Sequence, residues 1–183
     1  MGRQTTSSFP FGSRLGGLPR WLEVCLLVAI AVSSTGVYAT TWTGEVSHVS
    51  DGDTLWVRQA RHREAHPVRI QGIDAPEICQ SFGPQAAEAL SAYVLGQRVH
   101  VTVHAHDPYG RALARVTLGG VDVGAWMVRQ GYAWSYYYQR SKGPYARVEA
   151  QAHKLGLGLF AESDPMPPRE FRRRYGSCHA ATR

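Results

Sequence analysis

The chain has 183 residues, of which 44% are hydrophobic and 19% are charged, with a formal net charge of +6. This length favours one domain with its own core, and this composition excludes an intrinsically disordered protein. The positive balance fits a polyanionic partner, although many proteins with such a balance bind none.

The N-terminal segment, residues 1–39, predicts an export signal. Residues 1–20 carry arginines but no acid, and an apolar run follows that ends in small residues at Val37-x-Ala39. This pattern is typical of a cleavable signal peptide, so we expect cleavage after Ala39. The alternative is an uncleaved anchor over residues 21–38, since about 17 residues suffice to span a bilayer. Both interpretations export the domain to the periplasm or the extracellular space.

Two cysteines, Cys79 and Cys178, would remain after cleavage. Exported proteins fold in an oxidising environment, where paired thiols form disulfides. We therefore predict a disulfide between Cys79 and Cys178 that ties the C-terminal tail to the middle of the chain. Two free thiols are the alternative.

Five β-branched or alternating runs occupy the first part of the exported chain, separated by Asp-Gly, Pro, Tyr-Gly and Gly-Gly turn signals. They are "TGEVSHV", "TLWVRQ", "HPVRIQGI", "RVHVTVHA" and "ALARVTL". Five short strands at this spacing predict a small barrel or sandwich. Residues 84–96, 122–131 and 144–158 are predicted as helices. The domain then covers residues 41–160, and residues 161–183 form a Pro-rich, then basic, tail.

The motif "DGDT" at residues 51–54 places two aspartates around a glycine. Taken alone it is typical of a turn that leads into a strand. An EF-hand loop is excluded, because Leu55, Trp56 and His62 stand where that loop needs an oxygen ligand, a glycine and a glutamate.

A second motif, "VRIQGIDAPE" at residues 68–77, changes the interpretation of the first. Strand alternation places Arg69 on the face opposite its apolar neighbours, and Asp74 and Glu77 follow on a Pro-bearing turn. Carboxylates from separate segments, Asp53 and Asp74, would make a hard-oxygen site for Ca²⁺.

A third motif, "DPYGRALARV", contains Arg111 at the start of a strand. Phosphodiester hydrolysis needs a divalent ion, a group that activates water, and cations that neutralise charge on the transition state. Glu77 could serve the water, and Arg69 and Arg111 could clamp phosphate oxygens. The residue types for this chemistry are therefore all present.

The order "DGDT", "VRIQGIDAPE", "YGR" and "MVRQGYAWSYYY" resembles the thermonuclease, or staphylococcal nuclease-like, family over most of the exported chain. The resemblance implies an α+β fold, a five-stranded OB-fold barrel with three helices. It also implies a Ca²⁺-dependent nuclease that acts on DNA and RNA with little sequence preference and leaves 3′-phosphate ends.

Residue roles follow from the resemblance by position. Arg69, Glu77 and Arg111 correspond to catalytic residues. The calcium ligands correspond to Asp53, Asp74 and the main-chain carbonyl of Ala75, and Asp51 corresponds to a nearby acid that shapes the site.

Tyrosines are the candidates for contact with bases, because aromatic rings stack on any base. Tyr109 and the cluster of Tyr136, Tyr137 and Tyr138 are the relevant positions. By resemblance, Tyr137 corresponds to a nucleotide-stacking tyrosine, although the loop that follows it is shorter than the family pattern.

Other notable side chains have simpler interpretations. Trp126 and Trp134 are predicted to be core residues. His100, His104 and His106 lie in or beside one strand without thiol or carboxylate partners at ligand spacing, which favours exposed strand residues over a zinc site.

A different class of function is a nucleic-acid-binding module that keeps the barrel but has lost catalysis. The chain retains all five acidic and arginine positions, which favours the enzyme. No obligate protein partner is implied, and we expect a monomer.

Overall fold

The structure, a computed structural model, describes residues 39–60, 64–136 and 141–178. The segment predicted as a signal or anchor lies outside these residues, apart from Ala39. Within the described ranges, no helix is both long enough and apolar enough to cross a membrane.

Five long strands form a closed barrel. The described residues contain eight strands in all, of which three are only two residues long: β1 (Thr40–Asp51), β2 (Thr54–Gln59), β3 (Ala65–Ile70), β4 (Ile73–Asp74), β5 (Arg98–His106), β6 (Ala112–Leu118), β7 (Val121–Asp122) and β8 (Trp134–Ser135). The barrel strands pair in the order β3-β2-β1-β5-β6, and a parallel pairing of β3 with β6 closes the sheet. The short strands β4 and β8 pair with each other beside the barrel. The predicted five-stranded OB-fold barrel is confirmed.

Helices pack around this barrel. They are α1 (Gly83–Val94), α2 (Val123–Arg129), α3 (Ala146–Leu155) and α4 (Pro168–Tyr175), with a 3₁₀ turn at Gly158–Ala161. The first three lie within the three predicted windows, apart from the first residue of α1. Helix α1 begins at a proline-bearing first turn, where the missing amide costs nothing, and buries Ala86, Leu90 and Val94.

Strand alternation builds the core next to the first two motifs. Leu55, Val57, Val68 and Ile70 are each at most 1% exposed. Burying such a side chain stabilises the fold by about 1.5–3 kcal/mol. Arg69, between two of these residues, is directed to the opposite face, as the alternation predicts. The strand ends that carry the acidic residues are therefore fixed by the core.

The two tryptophans predicted for the core pack against it while remaining half-buried. Trp126 stacks on Tyr93 with ring centroids 4.1 Å apart, at the edge of the main core. Trp134 packs against a second, smaller cluster that includes Leu159 and Phe160. Trp134 and Leu159 of this second cluster line a cavity together with Met166 and Phe171.

The fourth helix, α4, falls where the sequence indicated a Pro-rich and basic tail. Pro168 stands in the first turn after an extended Pro167, a position that suits proline because its fixed φ is helical. Phe171 and Tyr175 lie one turn apart on the same side, with ring centroids 5.0 Å apart. The short length of the helix and its flanking prolines hid it from a periodicity analysis.

Candidate active site

The turn between β1 and β2 brings Asp53 into a buried position. The Asp53 amide donates a hydrogen bond to Asp51 Oδ1 at 3.0 Å, which fixes the turn. A Cβ on Gly52 would lie 2.7 Å from the Ala75 Cβ and 2.9 Å from the Ala86 Cβ. Glycine at this position therefore lets the first motif approach the second, and Asp53 ends up only 3% exposed.

Arg69 joins the two motifs. Its Nη1 donates to Asp53 Oδ1 at 2.9 Å, and its Nη2 donates to Asp74 Oδ1 at 3.1 Å. The Ala75 amide donates to the other Asp53 oxygen at 3.2 Å. One guanidinium and one main-chain amide thus hold carboxylates from separate segments side by side.

Glu77 lies on a tight loop between β4 and α1. The Glu77 amide donates to Gln80 Oε1 at 3.2 Å, and the Gln80 amide donates to the Glu77 carbonyl at 2.8 Å. A Cβ on Gly83 would lie 1.9 Å from the Glu77 carbonyl oxygen, so the loop can close only with glycine there. The position of Glu77 therefore depends on two residues that the sequence did not single out.

Gln80 is a supporting residue that sequence reasoning missed. It is only 6% exposed, and its Nε2 donates to the Met166 carbonyl at 2.6 Å. It thereby links the Glu77 loop to the chain just before α4. The available signal was weak, because a glutamine in a loop is usually exposed.

Arg111 is joined to the carboxylates through a hydroxyl. Its Nη1 donates to Thr54 Oγ1 at 3.5 Å, and that hydroxyl donates to Asp53 Oδ1 at 3.0 Å. The Arg111 Nε donates to Asp107 Oδ2 at 2.6 Å. Tyr109 is 84% exposed, and its ring centre lies 5.6 Å from the Arg111 guanidinium carbon. This arginine and this tyrosine therefore form the outer edge of the site.

The structure describes one of the three other tyrosines that were predicted to contact bases. Tyr136 is 42% exposed, whereas Tyr137 and Tyr138 lie outside the described residues. The three strand histidines, His100, His104 and His106, are exposed along β5, as expected for strand residues.

Arg172, on α4, is a residue of this site that the sequence did not indicate. Its Nη1 donates to Glu77 Oε1 at 2.7 Å, and its Nη2 donates to Asp74 Oδ2 at 3.1 Å. Arg172 stands 95 residues beyond Glu77 in the sequence, so no local pattern connects the two. The run of basic residues in the tail was the one available signal.

A disulfide joins Cys79 and Cys178, with their Cα atoms 5.9 Å apart. Cys79 follows Glu77 by two residues, and Cys178 follows the end of α4. The bond therefore attaches the C-terminal segment to the loop that carries Glu77.

Two aspartates of the acidic cluster have raised pKa values. Burial and the neighbouring Asp53 carboxylate raise the pKa of Asp51 to about 7. Burial and Asp53 also raise the pKa of Asp74, in spite of its two guanidinium partners. A cation placed among these oxygens would favour their charged forms.

The donor set suits a hard divalent cation. The carboxylates of Asp53 and Asp74 and the main-chain carbonyl of Ala75 supply only oxygen, which Ca²⁺ prefers. The Arg172 guanidinium lies 3.1 Å from Asp74, so a positive charge already stands beside this carboxylate. No cluster of three or more His, Cys, Asp or Glu side chains with metal-binding geometry occurs among the described residues. A bound ion would therefore take its remaining ligands from the main chain and water.

The fold and the site together define an OB-fold protein with an acidic, arginine-bearing site at one end of its barrel. The profile of the staphylococcal nuclease homologue family matches residues 67–162. The chain belongs to this family. The matched range contains four of the five predicted acidic and arginine positions, Arg69, Asp74, Glu77 and Arg111, and ends before α4.

Three relatives illustrate the similarity. An uncharacterized endonuclease of Escherichia coli O157:H7 is 36% identical over 132 residues, which covers 72% of this chain and 85% of that protein. A micrococcal nuclease of Shigella flexneri is 35% identical over 141 residues, with 71% and 80% covered. A probable staphylococcal-like nuclease of Oryza sativa subsp. japonica is 36% identical over 129 residues, with 68% and 39% covered.

Proposed function

We propose that this protein is a Ca²⁺-dependent nuclease that hydrolyses phosphodiester bonds of DNA and RNA with little sequence preference. The observation that carries the proposal is the convergence of Asp53, Arg69, Asp74 and Glu77 at one end of the barrel, with Arg111 at the edge. Family membership and the names of the relatives support a nuclease.

Asp53, Asp74 and the main-chain carbonyl of Ala75 are the proposed Ca²⁺ ligands. When bound, the ion supplies positive charge that stabilises the phosphate and makes deprotonation of a nearby water easier. Arg69 contacts one oxygen of each of these two carboxylates and so holds them side by side.

Glu77 is the proposed general base, or the group that orients the attacking water. The water oxygen gives up a proton to Glu77 or to solvent and bonds to phosphorus, while the bond to the 5′-oxygen breaks. The 5′-oxygen takes up a proton from solvent, so the products are a 3′-phosphate and a free 5′-hydroxyl. Arg69 and Arg111 carry forked guanidiniums, which bind two phosphate oxygens at once and neutralise charge as it develops. Each of the three side chains thus has a role that its chemistry permits.

The substrate is held outside this cluster by aromatic side chains in the proposal. Tyr109 projects from the barrel next to Arg111 and can stack on a base without sequence preference. Tyr137 is proposed for the same task. Residues 1–39 are proposed to export the enzyme, as a signal peptide or, over residues 21–38, as a membrane anchor, and the enzyme is proposed to act as a monomer.

Cleavage of end-labelled single-stranded DNA and RNA, in Ca²⁺ or in chelator, tests this function. We expect cleavage only with Ca²⁺, products that end in 3′-phosphate, and loss of cleavage in Asp53→Asn. Asp164→Asn changes an exposed carboxylate and is the matched control, which should cleave at the wild-type rate. Binding of the nucleic acid without Ca²⁺-dependent cleavage would instead identify an inactive nucleic-acid-binding module.

A further inference from the structure

Helix α4 covers the open side of the acidic cluster. The two terminal nitrogens of Arg172 contact both carboxylate oxygens of Asp74, at 3.1 and 3.3 Å, and one of them also contacts Glu77 at 2.7 Å. A guanidinium in this position occupies the same oxygens that a divalent cation would need at Asp74. It also neutralises the carboxylate that is proposed to receive a proton from water.

The contact between α4 and the domain has little apolar support. Pro168 is the single buried residue among the eight of this helix. Tyr175 is 67% exposed, and a cavity of about 320 Å³ lies between Phe171 and the aromatic side chains of Phe82 and Trp134. Segments with few buried apolar contacts open at a small fraction of the global unfolding free energy. Helix α4 is therefore held mainly by polar and covalent contacts.

Both ends of this segment are attached to the Glu77 loop. Gln80 binds the carbonyl of Met166 before the helix, and Cys79 is bonded to Cys178 after it. A segment tethered in this way stays at high effective concentration even when its central contact breaks. It can therefore leave the carboxylates and return to them without unfolding of the barrel.

The charge distribution along α4 singles out Arg172. Arg173 and Arg174 pair with Glu170 on the same helix and are 76% and 52% exposed. The Arg172 side chain is 32% exposed and reaches Asp74 and Glu77 instead. Of these three consecutive arginines, Arg172 is the one that contacts Asp74 and Glu77.

We propose that α4 is an autoinhibitory latch in which Arg172 occupies the Asp74 carboxylate that would bind Ca²⁺ and pairs with the proposed base, Glu77. Binding of Ca²⁺ displaces Arg172, and the disulfide keeps the displaced helix close enough to close again when the ion leaves. The proposal rests on the proposed function for the identity of the cation. It adds that the chain carries its own competitor for that site.

Calorimetric titration of the full chain with Ca²⁺, in the absence of nucleic acid, tests the latch. Arg172→Gln keeps a long helix-forming side chain and removes the competing charge. If the latch is closed in about nine molecules of ten, apparent affinity is reduced about tenfold, and the variant should bind Ca²⁺ about tenfold more tightly than the wild type. Arg173→Gln removes the same charge from the same helix and should stay within about twofold, because it is solvent-exposed and screened.

The outcomes separate the latch from the metal site itself. Equal or weaker Ca²⁺ affinity in Arg172→Gln, with measurable binding by the wild type, overturns the latch and leaves the proposed metal site standing. If neither the wild type nor either variant binds Ca²⁺, the metal assignment fails and the latch fails with it.

A second measurement needs no variant. Amide hydrogen exchange of residues 168–175 in the wild-type protein, with its disulfide intact, should accelerate severalfold when Ca²⁺ is added. The strands of the barrel should show unchanged or slower exchange under the same conditions. Unchanged exchange of residues 168–175 at saturating Ca²⁺ would mean that the ion binds without moving the helix, which overturns the proposal.

Discussion

The two sides of the site are fixed in different ways. Asp53 and Arg69 lie at strand ends next to fully buried Leu55 and Ile70, so the barrel core determines their position. Glu77 lies on a loop that is held by hydrogen bonds, and Arg172 lies on a short helix with one buried residue. We call the strand ends with Asp53 and Arg69 the barrel side, and the Glu77 loop with α4 the covering side. The barrel side sets the geometry of the carboxylates, and the covering side controls access to them.

The largest effect is expected at the Glu77 loop, because this loop carries the proposed base. Glu77→Gln should lower the rate of cleavage by about 10²–10⁴-fold, the usual loss for a general base, while the fold stays intact. Single-turnover cleavage of single-stranded DNA measures the effect. Glu88→Gln alters an exposed carboxylate on α1 and should leave the rate unchanged. A folded Glu77→Gln protein with a near-normal rate would remove Glu77 from catalysis.

The disulfide is a covalent link within the covering side, between the Glu77 loop and the segment that follows α4. It joins residues 99 positions apart, and closure of a loop of that length stabilises a fold by about 4.7 kcal/mol in the chain-entropy account. Replacing both Cys79 and Cys178 by serine should lower the free energy of unfolding in urea by about that amount. The wild type in reductant should match the double variant, and a loss below about 1 kcal/mol in both would contradict this account.

Sequence reasoning succeeded where local pattern and core packing agree. The five barrel strands follow from side-chain alternation and turn residues, and three of the helices follow from helical spacing and end signals. The carboxylates and arginines of the barrel side lie on motifs at strand ends. Family resemblance supplied the roles of these residues. The covering side was not predictable in the same way, because its central contacts join residues far apart in the chain.

Arg172 and Gln80 show why the covering side was missed. In the sequence, Arg172 is one residue of the basic tail, and no local pattern connects it with Asp74 or Glu77. The sequence places Gln80 in a loop and gives no sign that its side-chain amide is buried between two segments. Both depend on tertiary contacts that neither propensity nor periodicity encodes.

A substitution at Gly83 should disturb the covering side locally and with a smaller effect. Gly83→Ala places a methyl group against the Glu77 carbonyl and should cost about 1–3 kcal/mol, the usual penalty for overpacking, with a reduced cleavage rate. Gly96→Ala is the matched control, since its φ of +72° is strained but no atom lies within 4 Å of the added carbon. We expect the control to lose stability without losing catalytic rate, as measured by urea unfolding and cleavage assays. Equal cleavage rates in the two variants would show that the shape of the Glu77 loop is not critical.

Tyr109 should show the smallest effect, because it is exposed and touches only the outer edge of the site. Tyr109→Ala should raise KM about fivefold, which corresponds to about 1 kcal/mol of base stacking, and leave kcat and stability unchanged. Steady-state kinetics on single-stranded DNA separates the two parameters. A change in kcat with constant KM would assign this tyrosine to the chemistry and not to substrate binding.

A crystal structure determined with bound Ca²⁺ would show the metal site and the position of α4 together. We expect one ion that contacts the carboxylates of both Asp53 and Asp74, with the Arg172 side chain moved away from Asp74. An ion bound elsewhere, with Arg172 still in contact with Asp74 and Glu77, would contradict this expectation.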